Sequence, residues 1–177
     1  NHRKALDVVT FTANDGETYI WAATESGAER YRWDSTSNAP VLMSQVSVGD
    51  GLLDSQVNSI FVDKDCSFLF DSGSDTPAQE CVGFGTNAGL STYNPNTGAW
   101  YNHVHSDLHT IPNGAITTLL PLRESHDVYD PDGNYVDTYT FNELWVGTAE
   151  NGLARCRHGD AQVYDGITIK LICNGIW

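Results

Sequence analysis

Apolar and polar positions alternate along nearly the whole chain in short runs broken by glycine, asparagine and proline, and no stretch of ten or more residues carries a helical period. Three runs rich in apolar residues, Ala5-Leu-Asp-Val-Val-Thr-Phe11, Val57-Asn-Ser-Ile-Phe-Val62 and Ala115-Ile-Thr-Thr-Leu-Leu120, read as strands covered on both faces. Each precedes a strand, glycine turn and strand: Trp21-Ala-Ala-Thr-Glu-Ser-Gly27-Ala-Glu-Arg-Tyr31, Gly83-Phe-Gly-Thr-Asn-Ala-Gly89-Leu-Ser-Thr-Tyr93 and Trp145-Val-Gly-Thr-Ala-Glu-Asn-Gly152-Leu-Ala-Arg-Cys156. Thr24, Thr86 and Thr148 stand 62 residues apart both times, the period of a solenoid, propeller or array. A second hairpin follows, clearest in Tyr93-Asn-Pro-Asn-Thr-Gly98-Ala-Trp-Tyr101, with Arg157-His-Gly159-Asp160-Ala-Gln-Val-Tyr164 as a weaker copy.

Four short strands per repeat are what one propeller blade contains, and a two-sheet sandwich does not explain a sequence that repeats every four strands. The expected fold is therefore an all-β propeller segment. Blade 1 runs over 5–50, blade 2 over 57–105 and blade 3 over 115–165, and a fourth opens over 166–177 with Trp177 in the register of Trp21 and Trp145. The polar insertions Asp65–Glu80 and Arg123–Asn142 are expected as elongated hairpins, the second turning at Asp130-Pro-Asp-Gly-Asn134. A propeller cut in mid-blade leaves open strand edges. The expectation is a fragment of a longer polypeptide, with the remaining blades in the same chain or supplied by another.

The succession of inner strand, Leu-Trp-Val-Gly-Thr over 144–148, Gly152-Leu153, and Tyr93-Asn-Pro-x-Thr-Gly98-x-Trp100 resembles the two-component-regulator propeller repeat. That repeat occurs in extracytoplasmic sensor domains of bacterial hybrid histidine kinases; the likeness to streptogramin-lyase-like propellers is looser. The match is closest in Glu143–Leu153 and Gly83–Trp100 and departs in the first repeat, where Ala22-Ala23 replace Val-Gly and Ala28 replaces Leu. The resemblance implies a ring of about seven blades and a ligand- or partner-sensing role.

Composition narrows the partners. Nine Lys+Arg against 23 Asp+Glu give a net charge of −14, which repels nucleic acid and anionic lipid. No run of about 18 apolar residues is present to insert into a membrane. Cys66, Cys81, Cys156 and Cys173 lack metal or redox spacing, and separations of 15 and 17 residues suit cross-links between neighbouring antiparallel strands. Cys66–Cys81 and Cys156–Cys173 disulfides are expected, and with them a periplasmic or extracellular location. The absence of an Asn-x-Ser/Thr sequon is compatible with a bacterial source.

Among candidate sites, His103-Val-His105 with His109 presents imidazoles for a divalent transition metal, and Asp130, Asp132 and Asn134 offer oxygens for Ca2+, though without EF-hand spacing. Tyr129, Tyr135 and Tyr139 fall outside the repeat frame and form a candidate contact surface for a protein or an oligosaccharide. The repeat tryptophans are read as packing between blades. No G-x-S-x-G elbow, H-E-x-x-H or phosphate loop occurs, so no catalytic residue is assigned. The leading reading is an extracytoplasmic ligand- or protein-binding propeller. A lyase-type enzyme with a divalent metal at the channel mouth and a structural subunit of a cell-surface assembly are the alternatives.

Overall fold

In a computed structural model the chain is described over residues 4–13, 15–63, 80–104, 111–164 and 167–176. Twelve strands are present among these residues: β1 (Ala5–Thr12), β2 (Thr18–Thr24), β3 (Gly27–Asp34), β4 (Ala39–Val46), β5 (Val57–Asp63), β6 (Cys81–Thr86), β7 (Gly89–Asn94), β8 (Ala99–His103), β9 (Ile116–Tyr129), β10 (Tyr135–Thr148), β11 (Leu153–Tyr164) and β12 (Ile167–Ile176). They form three four-stranded antiparallel meanders, β1–β4, β5–β8 and β9–β12, each with its strands in chain order.

The sheets repeat to the residue. Val9 faces Trp21, Phe61 faces Gly83 and Leu120 faces Trp145, so the three first strands run in one register against the three second strands. A register shift falls at the same place each time, skipping Leu6, Asn58 and Thr117. A bulge at a fixed position turns the following side chain toward the neighbouring sheet. Asp7, Ser59 and Thr118 occupy that position. Asp7 Oδ2 accepts hydrogen bonds from Ile60 N at 2.9 Å and Ser59 Oγ at 3.2 Å, and Ser59 Oγ accepts from Leu119 N at 3.0 Å. β1 and β5 thereby each hold a backbone amide of the next sheet's first strand. β1 packs on β5 and β5 on β9, without closing into a ring among the described residues.

The repeated threonine builds each turn. Thr24 Oγ1 donates to Gly27 O at 2.8 Å and accepts from Ser26 N at 3.1 Å. Thr86 does the same with Gly89 O at 2.8 Å and Ala88 N at 3.2 Å. In the third copy, one residue longer, Thr148 Oγ1 reaches Gly152 O and accepts from Asn151 N, both at 3.1 Å. The glycines close these turns with positive φ, which side chains resist.

Two apolar clusters lie between the sheets. Phe11, Trp21, Ala23, Ala28 and Val46 of the first sheet meet Ile60, Val82 and Phe84 of the second. Phe61 and Leu90 on the other face of the second sheet meet Leu119, Leu144, Val146 and Ala154 of the third. Burying such a side chain contributes about 1.5–3 kcal/mol. Trp21 is fully buried, packs edge-on against Phe84 at 5.6 Å and donates from Nε1 to Glu80 at 2.6 Å. It fills the space between the first and second sheets as expected, whereas Trp145 at the equivalent place in the third is half-buried. At the Trp21 position the second repeat carries Gly83, and the Phe61 ring fills the place: a Cβ there would lie 2.1 Å from Phe61 Cε1.

Several expectations are corrected. Residues 167–176 do not open a fourth sheet: β12 pairs with β11 and completes the third, so three sheets stand where three and a half blades were expected. The Gly159-Asp160 turn is not formed. β11 runs straight through it, and the irregularity there is a register shift between His158 and Gln162, because a bulge draws on the same residue types as a turn. Of the three first strands, only β5 is covered on both faces; Val8 of β1 and Leu120 of β9 are exposed. The Arg123–Asn142 insertion is the expected long hairpin, formed by β9 and β10 of 14 residues each. Residues 65–79 of the other insertion, and Trp177, lie outside the described residues.

Gly83→Ala is expected to destabilise the protein by about 1–3 kcal/mol, because the new methyl displaces the buried Phe61 ring. Phe61→Leu in the same background recovers part of the loss. Chemical denaturation of the two variants checks this.

Candidate functional site

The long hairpin carries the residues singled out from the sequence. Its turn is built by Asp130, whose backbone N donates to Asn134 O and whose O accepts from Gly133 N, both at 2.9 Å. The Asp130 carboxylate closes the loop from inside: Oδ1 accepts from Asn134 N at 2.8 Å and Asp132 N at 3.0 Å, and Oδ2 from Asn134 Nδ2 at 3.1 Å. These bonds, led by the Asn134 amide, hold the carboxyl below the usual carboxylate range. The Asp130 oxygens considered for Ca2+ are thus committed to shaping the turn, and Asn134 presents its NH2 rather than its carbonyl to Asp130.

Just below the turn, Tyr129 and Tyr135 pair directly across the strands with their rings edge to face, centroids 6.2 Å apart. They are 58% and 59% exposed. A register shift at Val136 brings Thr138 onto the face of Tyr135, so that Tyr135 Oη and Thr138 Oγ1 lie 2.9 Å apart. Thr138 Oγ1 in turn donates to Asp127 Oδ1, directly opposite, at 2.6 Å. Two aromatic edges, a hydroxyl pair and a carboxylate therefore share one exposed face. Tyr139, the third tyrosine of the candidate surface, pairs with His126 rather than joining the register of Tyr129 and Tyr135.

His103 ends β8, half-buried, and desolvation pushes its imidazole down to about 4, neutral at pH 7. His105 and His109 lie outside the described residues, and among the described residues no three His, Cys, Asp or Glu side chains converge to hold a metal. Cys156 and Cys173, directly paired across β11 and β12, form the expected disulfide. Cys81 is disulfide-bonded, and Cys66, its expected partner, lies outside the described residues.

One cluster was missed from sequence. Buried Glu143 accepts from Arg155 Nε at 2.6 Å, from Arg155 Nη2 and from Arg157 Nε at 2.8 Å, with the Arg155 guanidinium 6.0 Å from the Trp145 ring centroid. The signal lay in cross-strand register, since Glu143 faces Arg157 and Trp145 faces Arg155. Hydrogen bonding from Arg155, then from Arg157, holds the Glu143 carboxyl down at about 2.

No protein-family model matches the chain, and no curated protein matches it.

A depressed carboxyl stabilises the fold at pH values above its unfolded pKa and loses that contribution as pH falls through its folded one. The stability difference between the wild type and Glu143→Gln is therefore expected to be full above about pH 5 and to shrink toward pH 2. Urea denaturation of both proteins over that range measures it.

Proposed function

We propose that the chain is part of an extracytoplasmic β-propeller that binds a neutral oligosaccharide on the Tyr129–Tyr135 face of its long hairpin. The observation that carries this reading is the exposed, edge-to-face tyrosine pair on a hairpin whose turn is closed by its own carboxylate. Large aromatic rings are ordinarily buried, and two left open side by side on a rigid support are suited to contact. Ring surfaces take the apolar faces of a sugar. The neighbouring Asp127 carboxylate and the Tyr135 and Thr138 hydroxyls supply acceptors and donors for its hydroxyl groups.

The charge of −14 favours a neutral ligand over a sulfated, phosphorylated or uronic one. Three like sheets joined through their first strands support a propeller, and the Cys156–Cys173 bond fits an oxidising compartment. The motif resemblance to extracytoplasmic sensor propellers points the same way.

The test is calorimetric titration with a panel of neutral and acidic oligosaccharides. Tyr129→Ala with Tyr135→Ala is expected to weaken binding of a neutral sugar at least about tenfold while leaving the thermal midpoint of this exposed hairpin nearly unchanged. Unchanged affinity in the double variant, or a wild type that takes none of the neutral sugars, overturns the reading.

A further inference from the structure

The hydrogen bonds on the tyrosine face of the long hairpin run in one direction. Thr138 Oγ1 donates to Asp127 Oδ1 at 2.6 Å, and a threonine hydroxyl has a single hydrogen to give. Tyr135 Oη, 2.9 Å from the same Oγ1, must therefore be the donor of that contact. The chain leads from Tyr135 to Thr138 to Asp127, and both hydroxyl hydrogens are committed within it. What these three side chains offer a ligand, without breaking a bond already made, is lone pairs.

The face is open because the hairpin runs past the sheet. By alternation along β9, Asp127 and Tyr129 lie on the side where Leu119 meets the second sheet, but β11 flanks β10 only over Glu143–Gly147. Asp127, Tyr129, Tyr135 and Thr138 are all exposed.

We infer, on the oligosaccharide reading above, that this face selects amino sugars: it holds a neutral sugar framework more tightly when a free amino group replaces the hydroxyl that meets Asp127.

An ammonium group has three hydrogens to donate and no lone pair, the complement of a cluster that accepts. A hydroxyl on the same carbon supplies one hydrogen and brings lone pairs that Tyr135, Thr138 and Asp127 do not satisfy. The rings add to the preference, since a cation is drawn to an aromatic face, and Tyr129 and Tyr135 stand 6.2 Å apart in the register next to Asp127 and Thr138. Charge points the same way. Residues 123–142 carry five carboxylates and one Arg or Lys, Arg123. Arg123 stands four residues from Asp127 along β9, about 13 Å away and beyond the screening length at physiological salt. Asp127 is the carboxylate beside the tyrosines. Asp130 is spent on the turn, and Asp137, across from Val128, falls on the opposite face.

The test is calorimetric titration of the full chain, in mildly acidic buffer of low salt, with cellotetraose and the glucosamine tetramer of the same linkage. The two differ only in carrying a hydroxyl or a protonated amino group at the second carbon of each ring. The glucosamine tetramer is expected to bind about fivefold more tightly, the scale of one exposed charge pair. That advantage is expected to shrink in about 0.3 M salt. Asp127→Asn, which keeps an acceptor for Thr138, is expected to bring the ratio of the two affinities close to one. Asp137→Asn removes the same charge from an exposed residue on the opposite face and is expected to leave the ratio unchanged. Circular dichroism of both variants is expected to match that of the wild type. Equal affinity of the wild type for the two tetramers overturns the inference and leaves the oligosaccharide reading standing. Failure to bind either tetramer also overturns it, whereas the oligosaccharide reading falls only when the whole neutral panel fails. A ratio that drops as far in Asp137→Asn as in Asp127→Asn, or that survives Asp127→Asn, overturns it as well, because the preference would then lie outside this face.

Discussion

The arrangement of this chain depends on a polar side chain one residue beyond a bulge in the first strand of each of the first two sheets. Asp7 and Ser59 stand there and hold the amides of Ile60 and Leu119. A strand that begins a sheet has one edge without a partner, and buried amides along it are costly unless satisfied. Meeting them with a side chain from the preceding sheet solves two problems together. It satisfies the amide, and it fixes the height at which neighbouring sheets slide against one another. Once that height is set, Trp21 arrives against Phe84 and Phe61 lies in the space that Gly83 leaves. The bulge is what makes the reach possible, and it recurs at Leu6, Asn58 and Thr117.

The same repetition separates what the core needs from what it does not. Inside the shared frame, Trp21, Phe61, Phe84 and Leu119 are buried between sheets, and Thr24, Thr86 and Thr148 are bonded within their turns. The Tyr129–Tyr135 face lies beyond that frame, on the part of β9 and β10 that extends past the sheet, and the hairpin spends its Asp130 carboxylate on its own turn. An insertion that carries two exposed rings and satisfies its turn internally asks little of the core. Substitution in such a hairpin leaves the packing between the sheets untouched.

Much of the fold was legible because its signals are local. The Thr-to-Gly spacing of each tight turn, the Asp130–Asn134 turn and the Cys156–Cys173 pair all act over a few residues or across one hairpin. The misreadings arose where local chemistry is ambiguous. Gly159 and Asp160 suit a turn and a bulge equally, and the long apolar run Ile167–Ile176 resembles an inner strand as readily as an outer one. The disulfide held the answer, because a Cys173 bonded across to Cys156 belongs to the strand beside β11 and not to a new sheet. Of the candidate site, the tyrosines were visible as residues outside the repeat. The division that sets Tyr135 with Thr138 apart from Tyr139 depends on a bulge at Val136 that no periodicity announces. Glu143 was invisible for a related reason: its partners lie 12 and 14 residues away and meet it only in cross-strand register.

The measurement that tests this account most directly is native-state amide hydrogen exchange at Ile60 and Leu119 in the wild type, Asp7→Ala and Ser59→Ala. The account predicts that both amides are protected in the wild type, that Asp7→Ala accelerates Ile60, and that Ser59→Ala accelerates Leu119 while leaving Ile60 protected. Exchange at Leu119 unaffected by removal of the Ser59 hydroxyl, with Ile60 equally indifferent to Asp7, would contradict it, and the sheets would then be held by apolar contact alone.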